Sequence, residues 1–110
     1  MQDKGLTPDL FASAGTPFEE ILKQMTRSGK RVVMVSEEDR KLLGIVTDYD
    51  VRVAILNHTP MDTPVRDFMN ASPMTVSENA SEQEIFDCMY EYGYNVIPVV
   101  GDNGQVITLH

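Results

Sequence analysis

Apolar residues at helical spacing mark the first regular element of the chain. Four of them fall on one helical face: Phe18, Ile21, Leu22 and Met25. Thr16, with Pro17 at the first helical position and Glu19 three residues after Thr16, predicts a capping box at the start of this helix. Gly29 predicts its end, because glycine readily adopts the left-handed conformation that closes helices.

Short apolar runs on either side of this helix predict strands. They cover residues 10–12, 31–35 and 42–46, with a polar turn at residues 37–40. The run at 42–46 is apolar except for Gly44 and rich in branched residues, which predicts a strand buried on both faces. The apolar residues between Val51 and Leu56 then predict a short, mostly buried helix.

The same order of elements recurs 64 residues later. Ser81, with Glu84 at the capping-box position, begins a second helix that ends at Gly93. Strands are predicted at residues 74–76, 95–100 and 106–109, with a tight turn at 101–104 and an apolar helical face of Ile85, Phe86, Cys88, Met89 and Tyr92. No gap is needed to align the two copies from Leu10 to Val46, and identical residues coincide at Glu20/Glu84, Ile21/Ile85, Met25/Met89, Gly29/Gly93, Val32/Val96 and Val35/Val99.

The repeat predicts an α+β fold of two β-α-β-β units related by a pseudo-twofold axis. Each unit presents an apolar sheet face that one copy cannot bury alone, so we expect the units to pack through their sheets. The predicted organisation is a first repeat at 9–57, a linker with a short helical turn at 58–72, and a second repeat at 73–110. Because Gly44 aligns with Thr108, the second repeat is expected to lack its C-terminal helix.

Composition narrows the classes of partner. The chain has 17 acidic and 9 basic residues, a formal net charge of −8, which argues against nucleic acid and anionic membrane surfaces as partners but not against a small anionic ligand. The single cysteine, Cys88, fits a core position in a reducing compartment. No apolar run approaches a membrane span and no secretory signal is present, so a cytoplasmic location is expected.

The candidate chemistry lies at Gly44–Arg52, GIVTDYDVR, where a predicted strand turns directly into a helix. The first N–H groups of a helix have no intrahelical partner and, with the helix dipole, attract a phosphate. Thr47 can add a hydroxyl donor, Asp50 can accept hydrogen bonds from a ribose diol, and Arg52 can reach an anion. The alternative is that Thr47, Asp48 and Asp50 only cap the helix, and the pattern leaves both interpretations open.

Three segments together resemble a tandem pair of cystathionine-β-synthase (CBS) domains, the Bateman module. They are GIVTDYD at 44–50 with Arg52, VRDFM at 65–69, and VIPVV at 96–100, and the resemblance covers roughly residues 9–110. Within that family, TDYDVR and IPVVGDNGQVI are most similar to the CBS pair that precedes bacterial sugar-1-phosphate nucleotidyltransferase domains. The glycine-rich nucleotide-activating loop of such enzymes does not occur in these residues.

The resemblance implies a regulatory module that binds AMP, ADP, ATP or S-adenosylmethionine in a cleft between the repeats. Asp50 would then hold the ribose hydroxyls, Thr47 the phosphate, and the Ile45 backbone the base or ribose. Arg52 and Arg31 are the candidates to neutralise the phosphate charge. The adenine slot would be shared with the second repeat through Ser72, Pro73, Tyr94, Asn95 and Val96. It further implies an attached or partner enzyme under the control of the module. We also expect a homodimer, no metal and no cofactor other than the nucleotide.

Two other functions compete with this prediction. A dimerisation module that binds no ligand fits the missing second motif, and Tyr90, Tyr92 and Tyr94 either line the ligand slot or form a dimer surface. A free-standing enzyme is disfavoured because no nucleophile–base pair or carboxylate dyad can be placed in one cleft from the spacing. His58 and His110 have no partner at metal-ligand spacing.

Overall fold

The elements of the chain follow the predicted order and form an α+β fold with two three-stranded sheets. The structure is a computed structural model that describes residues 6–93 and 96–110. The elements are β1 (Phe11–Ala12), α1 (Phe18–Ser28), β2 (Val32–Ser36), β3 (Leu42–Thr47), α2 (Asp48–Leu56), β4 (Val76–Ser77), α3 (Glu82–Tyr92), β5 (Pro98–Val100) and β6 (Val106–Leu109). Short 3-10 turns lie at Pro8–Leu10 and Val65–Asp67.

The two sheets repeat each other in strand order and in register. In each sheet the central strand pairs in parallel with the first strand and antiparallel with the third. The pairs Ala12↔Val35 and Val35↔Gly44 recur 64 positions later as Val76↔Val99 and Val99↔Thr108. A register shift follows Val35 in the first sheet and Val99 in the second. The offset read from the sequence is therefore confirmed down to individual backbone pairs.

The described chain divides into two units, one of residues 7–73 and one of Leu6 with residues 74–110. The first unit contains β1–β3, α1 and α2, and its central strand β2 is buried along its whole length. Its core cluster joins the two helices, the sheet and the linker: Phe18, Ile21, Val33, Val35, Val46, Val51, Ala54 and Val65. The second unit contains α3 with β4–β6, and Ile85, Ile97, Val99 and Val106 are buried there.

The linker packs on the first unit, as its apolar residues predict. Val65 is fully buried, and the ring of Phe68 lies 4.8 Å from the ring of Phe18 between centroids. The Val65 N–H donates to the Thr16 carbonyl at 2.8 Å. The short turn at 65–67 is thus held both by apolar contact and by a backbone hydrogen bond to the start of the first repeat.

The capping box predicted at the start of α1 is wrong. The N-cap position belongs to Pro17, which makes no side-chain capping bond, and the helix begins at Phe18. The first N–H groups of the helix instead donate to linker carbonyls: Phe18 to Thr63 at 2.8 Å and Glu19 to Met61 at 2.9 Å. Backbone carbonyls of a distant segment thus take the place of the predicted Thr16 side chain as acceptors. Local sequence rules do not detect acceptors so far away along the chain.

The capping box predicted at the start of α3 is confirmed. The Ser81 N–H donates to Glu84 Oε1 at 2.8 Å, and the Glu84 N–H donates to Ser81 Oγ at 3.1 Å. The hydrogen bonds from the Ser81 N–H and then from its side chain lower the pKa of the Glu84 carboxyl. Both helices end as predicted, with Gly29 and Gly93 in the left-handed conformation at φ of 69° and 73°.

Fewer residues of α2 and α3 are buried than predicted. In α2 only Val51 and Ala54 are buried, and in α3 only Ile85. The apolar residues on their other faces are exposed: Val53 (37%), Ile55 (51%), Leu56 (77%), Phe86 (62%) and Tyr92 (59%). Each helix packs on its unit through one face, so the apolar side chains beyond that face stay exposed. Among the described residues, no helix combines the length and apolarity needed to cross a membrane.

Substitution of Gly44 by alanine tests the close approach of the linker to β3. A Cβ at this position meets Met69 Sδ at 2.7 Å and the Asn70 carbonyl oxygen at 2.8 Å, so the linker backbone must shift. We expect Gly44→Ala to lower the free energy of unfolding by about 1–3 kcal/mol, measured by chemical denaturation. Gly15→Ala is the matched control, because its nearest non-local atom lies at 3.7 Å. Equal stability of the two variants would contradict the close packing.

Alanine substitutions at Thr16 and Ser81, the two predicted helix caps, test which of these residues caps a helix. Ser81→Ala removes an observed N-cap bond and is expected to cost about 1 kcal/mol of unfolding free energy. Thr16→Ala should cost much less, because the Thr16 hydroxyl contacts the exposed Ser13 hydroxyl at 3.2 Å and does not cap α1. Thermal and chemical unfolding of both variants measures the difference, and a larger loss in Thr16→Ala would refute the assignment.

Candidate functional site

The candidate site lies where β3 ends and α2 begins. Thr47 closes β3 opposite Val32 of β2 and is at the same time the N-cap of α2, with extended backbone angles of −110° and 174°. The next N–H, that of Asp48, donates to the Arg31 carbonyl at 3.2 Å. The strand-to-helix transition predicted from GIVTDYDVR is confirmed, and one of the first N–H groups of the helix is already paired.

Asp50 and Thr47 are joined through a single carboxylate oxygen. Asp50 Oδ2 accepts the Thr47 N–H at 2.8 Å and the Thr47 hydroxyl at 3.0 Å. The Asp50 carboxylate thereby caps the N–H of Thr47, which occupies the N-cap position of α2. Asp50 is half-buried, and its second oxygen, Oδ1, accepts no hydrogen bond from the described residues. Because the bonds to Oδ2 hold the whole carboxylate in place, Oδ1 has a fixed position and can accept a hydrogen bond from a ligand hydroxyl.

Arg52 lies one helical turn after Asp48 and forms an ion pair with it. Arg52 Nη1 lies 3.1 Å from Asp48 Oδ2, and the two side chains are 63% and 44% exposed. Exposed pairs of this kind contribute about 0–1 kcal/mol, so a phosphate can compete with Asp48 for the guanidinium. Arg31 is exposed at the start of β2, and its carbonyl rather than its side chain contacts the turn.

The linker completes the open edge of β3 beside this turn. Ile45 and Asn70 exchange two backbone hydrogen bonds, at 3.0 Å and 2.9 Å. Both backbone groups of Ile45 are therefore paired, and a ligand can use only the second lone pair of its carbonyl or an apolar contact. Sequence reasoning missed Asn70, since a lone polar residue in a linker carries no periodic signal.

Asn70 also positions the predicted residues that follow it. Its side-chain oxygen Oδ1 accepts the Ser72 N–H at 3.0 Å, leaving Ser72 exposed and Pro73 half-buried. Ile45, Thr47, Asp50, Arg52, Ser72 and Pro73 all belong to the first unit, and Val96 belongs to the second. Tyr94 and Asn95, the other two predicted residues of the adenine slot, lie outside the described residues.

The family of the chain follows from its repeated fold and from a direct match. The model of the CBS domain matches the sequence twice, over residues 6–57 and 65–107. The chain therefore belongs to the CBS domain family and is a tandem CBS pair. CBS domains are regulatory rather than catalytic modules. Within residues 6–93 and 96–110, no three potential metal-ligating side chains come together.

The chain is also similar to a curated relative, and its fold is similar to those of solved structures. An uncharacterized protein of Methanopyrus kandleri is 30% identical over 98 residues, which cover 84% of this chain and 50% of that protein. A CBS domain protein from Pyrobaculum aerophilum, solved with AMP, superposes with a TM-score of 0.84 at 17% identity, over 98% of this chain and 84% of that one. The chain spans about half or less of the length of the first curated relatives it matches.

A further solved structure carries two related ligands. The CBS pair of a protein named MJ0100 was solved with 5'-methylthioadenosine and S-adenosylmethionine. It superposes with a TM-score of 0.82 at 21% identity, over 98% of this chain and 85% of that one. At this level of identity the likeness establishes the fold.

Substitution of Asp50 by alanine tests its structural role as a cap of α2. The substitution removes the acceptor of the Thr47 N–H and hydroxyl, so we expect a loss of about 1–2 kcal/mol in unfolding free energy. Asp50→Asn retains a side-chain oxygen at that position and should lose less. Asp62→Ala, at an exposed linker position, is the control and should remain near the parent stability. If Asp50→Ala unfolds at the same denaturant concentration as the control, Asp50 does not cap α2.

Proposed function

We propose that this CBS pair is a sensor of adenosine nucleotides that regulates an attached or partner enzyme. The observation that carries the proposal is the half-buried Asp50 carboxylate, with Oδ2 fixed by Thr47 and Oδ1 open to a ligand. The fold supports it, since similar CBS pairs were solved with AMP, S-adenosylmethionine and 5'-methylthioadenosine. The ligand class is AMP, ADP, ATP or S-adenosylmethionine.

The ribose and the phosphate have candidate partners at the turn, and the adenine has candidate partners elsewhere in the chain. Asp50 Oδ1 accepts a ribose hydroxyl, and the held position of Oδ2 reduces the entropy lost on binding. Thr47 must turn its hydroxyl proton away from Asp50 to donate to a phosphate oxygen, leaving its N–H bond to Asp50 in place. Arg52 then exchanges the Asp48 carboxylate for phosphate. Ser72, Pro73 and Val96, with Tyr94 and Asn95, are the residues proposed for the adenine.

Regulation requires that the nucleotide bind one conformation of the protein more tightly than another. Since the Asn70 backbone pairs with Ile45 beside the turn, contacts at the ligand are directly connected to the linker. We propose a sugar-1-phosphate nucleotidyltransferase as the regulated enzyme. Support for this choice is the resemblance of TDYDVR and IPVVGDNGQVI to the CBS pairs that precede such domains.

Calorimetric titration with AMP, ATP and S-adenosylmethionine tests the proposed ligand class. We expect at least one of the three to bind with measurable heat and to raise the melting temperature. Asp50→Asn should weaken that ligand roughly 10-fold or more, because a hydrogen bond to a charged acceptor is worth about 1.5–3 kcal/mol. Asp62→Asn is the charge-matched control and should bind as the parent does. No heat and no thermal shift with all three ligands would refute the sensor.

A second candidate function is a CBS dimerisation module that binds no nucleotide. The exposed aromatic side chains of α3 favour it, since Phe86 and Tyr90 are 62% and 80% exposed. Aromatic side chains are enriched in protein–protein interfaces. Self-association without any response to the three nucleotides would support this function over the sensor.

A further inference from the structure

Lys30 and Arg31, which precede β2, are two neighbouring cations that neutralise no carboxylate of the described chain. Both residues are exposed, and neither forms an ion pair within residues 6–93 and 96–110. The ion pairs of those residues engage three other cations: Lys23, Arg27 and Arg52. In a chain with 17 acidic and 9 basic residues, two adjacent cations without a carboxylate partner mark a place where an external anion can bind.

These two cations lie at the end of the first sheet that holds the candidate site. Val32 of β2 pairs with Thr47 of β3. One position further, the Asp48 N–H donates to the Arg31 carbonyl at 3.2 Å, a bond that does not engage the Arg31 guanidinium. Asp48 also holds the guanidinium of Arg52, at 3.1 Å. The strand-to-helix turn is therefore flanked by three cations, which we call the cation cluster: Lys30, Arg31 and Arg52.

The cation cluster has more positive charge than the carboxylates beside it can neutralise. One of these carboxylates, that of Asp48, is paired with Arg52. The other, that of Asp50, accepts the N–H and the hydroxyl of Thr47 through Oδ2. The chain as a whole is acidic, but salt screens charges that are farther apart than about 8 Å at physiological ionic strength. An anion at the turn therefore interacts more strongly with the cluster than with distant carboxylates.

A single phosphate does not use the whole cluster. In the proposed site, the phosphate that adjoins the ribose contacts Thr47 and Arg52. AMP has no other phosphate, so it leaves Lys30 and Arg31 without an anionic partner. Further phosphates add negative charge and acceptor oxygens, and a guanidinium can bind two phosphate oxygens through parallel hydrogen bonds. S-adenosylmethionine has a cationic sulfonium in place of the first phosphate, so the cluster repels it.

We propose that the site selects ADP and ATP over AMP and S-adenosylmethionine, with Lys30 and Arg31 binding the phosphates beyond the first. This inference rests on the proposed nucleotide sensor and defines its ligand by the number of phosphates. Asp50, which recognises the ribose in that proposal, is separate from the two cations that recognise the added charge. A sensor of this kind responds to the phosphorylation state of the nucleotide rather than to its total amount.

Calorimetric titration of the parent chain with AMP, ADP, ATP and S-adenosylmethionine, without divalent cations, tests the preference. We expect ATP to bind at least about 10-fold more tightly than AMP, since two exposed cation–phosphate contacts of the strength of surface ion pairs together give about that factor. ADP should lie between them, S-adenosylmethionine should bind most weakly, and the advantage of ATP should shrink as salt is raised. Equal affinity for AMP and ATP would overturn the preference and leave the sensor intact, whereas no binding of any of the four would overturn both.

Removal of the two cations tests whether they cause the preference. Lys30→Ala/Arg31→Ala should weaken ATP roughly 10-fold and AMP less than about 3-fold, because AMP has no phosphate beyond the first. The variant keeps the bond from the Asp48 N–H, which uses the Arg31 carbonyl, so its melting temperature should stay near that of the parent. Unchanged affinity for ATP, or an equal loss for AMP and ATP, would refute the role of these residues.

The matched control removes two cations from the opposite end of the same sheet. Lys41 and Arg66 are exposed and form no ion pair with other described residues. Lys41 precedes β3, about 20 Å from Thr47 along an extended strand. The Arg66 N–H donates to the carbonyl of Ala14, which follows the end of β1. Lys41→Ala/Arg66→Ala changes net charge as much as the first variant and should bind all four ligands as the parent does; an equal loss of ATP affinity would show that net charge alone sets the preference and would overturn the proposal.

Discussion

Backbone hydrogen bonds from the linker hold the first unit in its observed form. Linker carbonyls accept the first N–H groups of α1, and Asn70 pairs with Ile45 along the open edge of β3. Without these bonds the helix start and the strand edge would present unpaired polar groups. The second repeat begins its helix differently, because Ser81 stands where the first repeat has Pro17 and supplies the cap from its own side chain. The first N–H groups of the two equivalent helices therefore have different kinds of acceptor.

Comparison of the two helix starts shows what the sequence could and could not predict. The offset of 64 predicted strand order and register, because both copies must satisfy the same backbone pairing with the same spacing of apolar residues. The cap of α1 was beyond local rules, since its acceptors lie more than 40 residues away at Met61 and Thr63. Exposure of Leu56 and Phe86 was missed because periodicity identifies apolar positions but not whether another element covers them.

The sequence left open whether the residues of the candidate site cap a helix or contact a ligand. The geometry of Asp50 is compatible with both roles at once. A carboxylate has two oxygens, and the cap uses only Oδ2 of Asp50. The hydrogen bonds that stabilise α2 also fix the direction of Oδ1, so the capping role contributes the pre-organisation that a binding role requires. Asn70 extends the same arrangement, because one residue both pairs with β3 and orders the Ser72 backbone.

The two repeats share a backbone pattern, but the outward faces of their first helices differ in charge. The helix α3 has four acidic residues and no basic one. At the positions of α1 that are equivalent to Asp87 and Glu91 of α3, the chain has Lys23 and Arg27. Because both faces belong to the helices that begin each repeat, linker bonds at Phe18 and the Ser81 cap fix the positions from which these surfaces are presented.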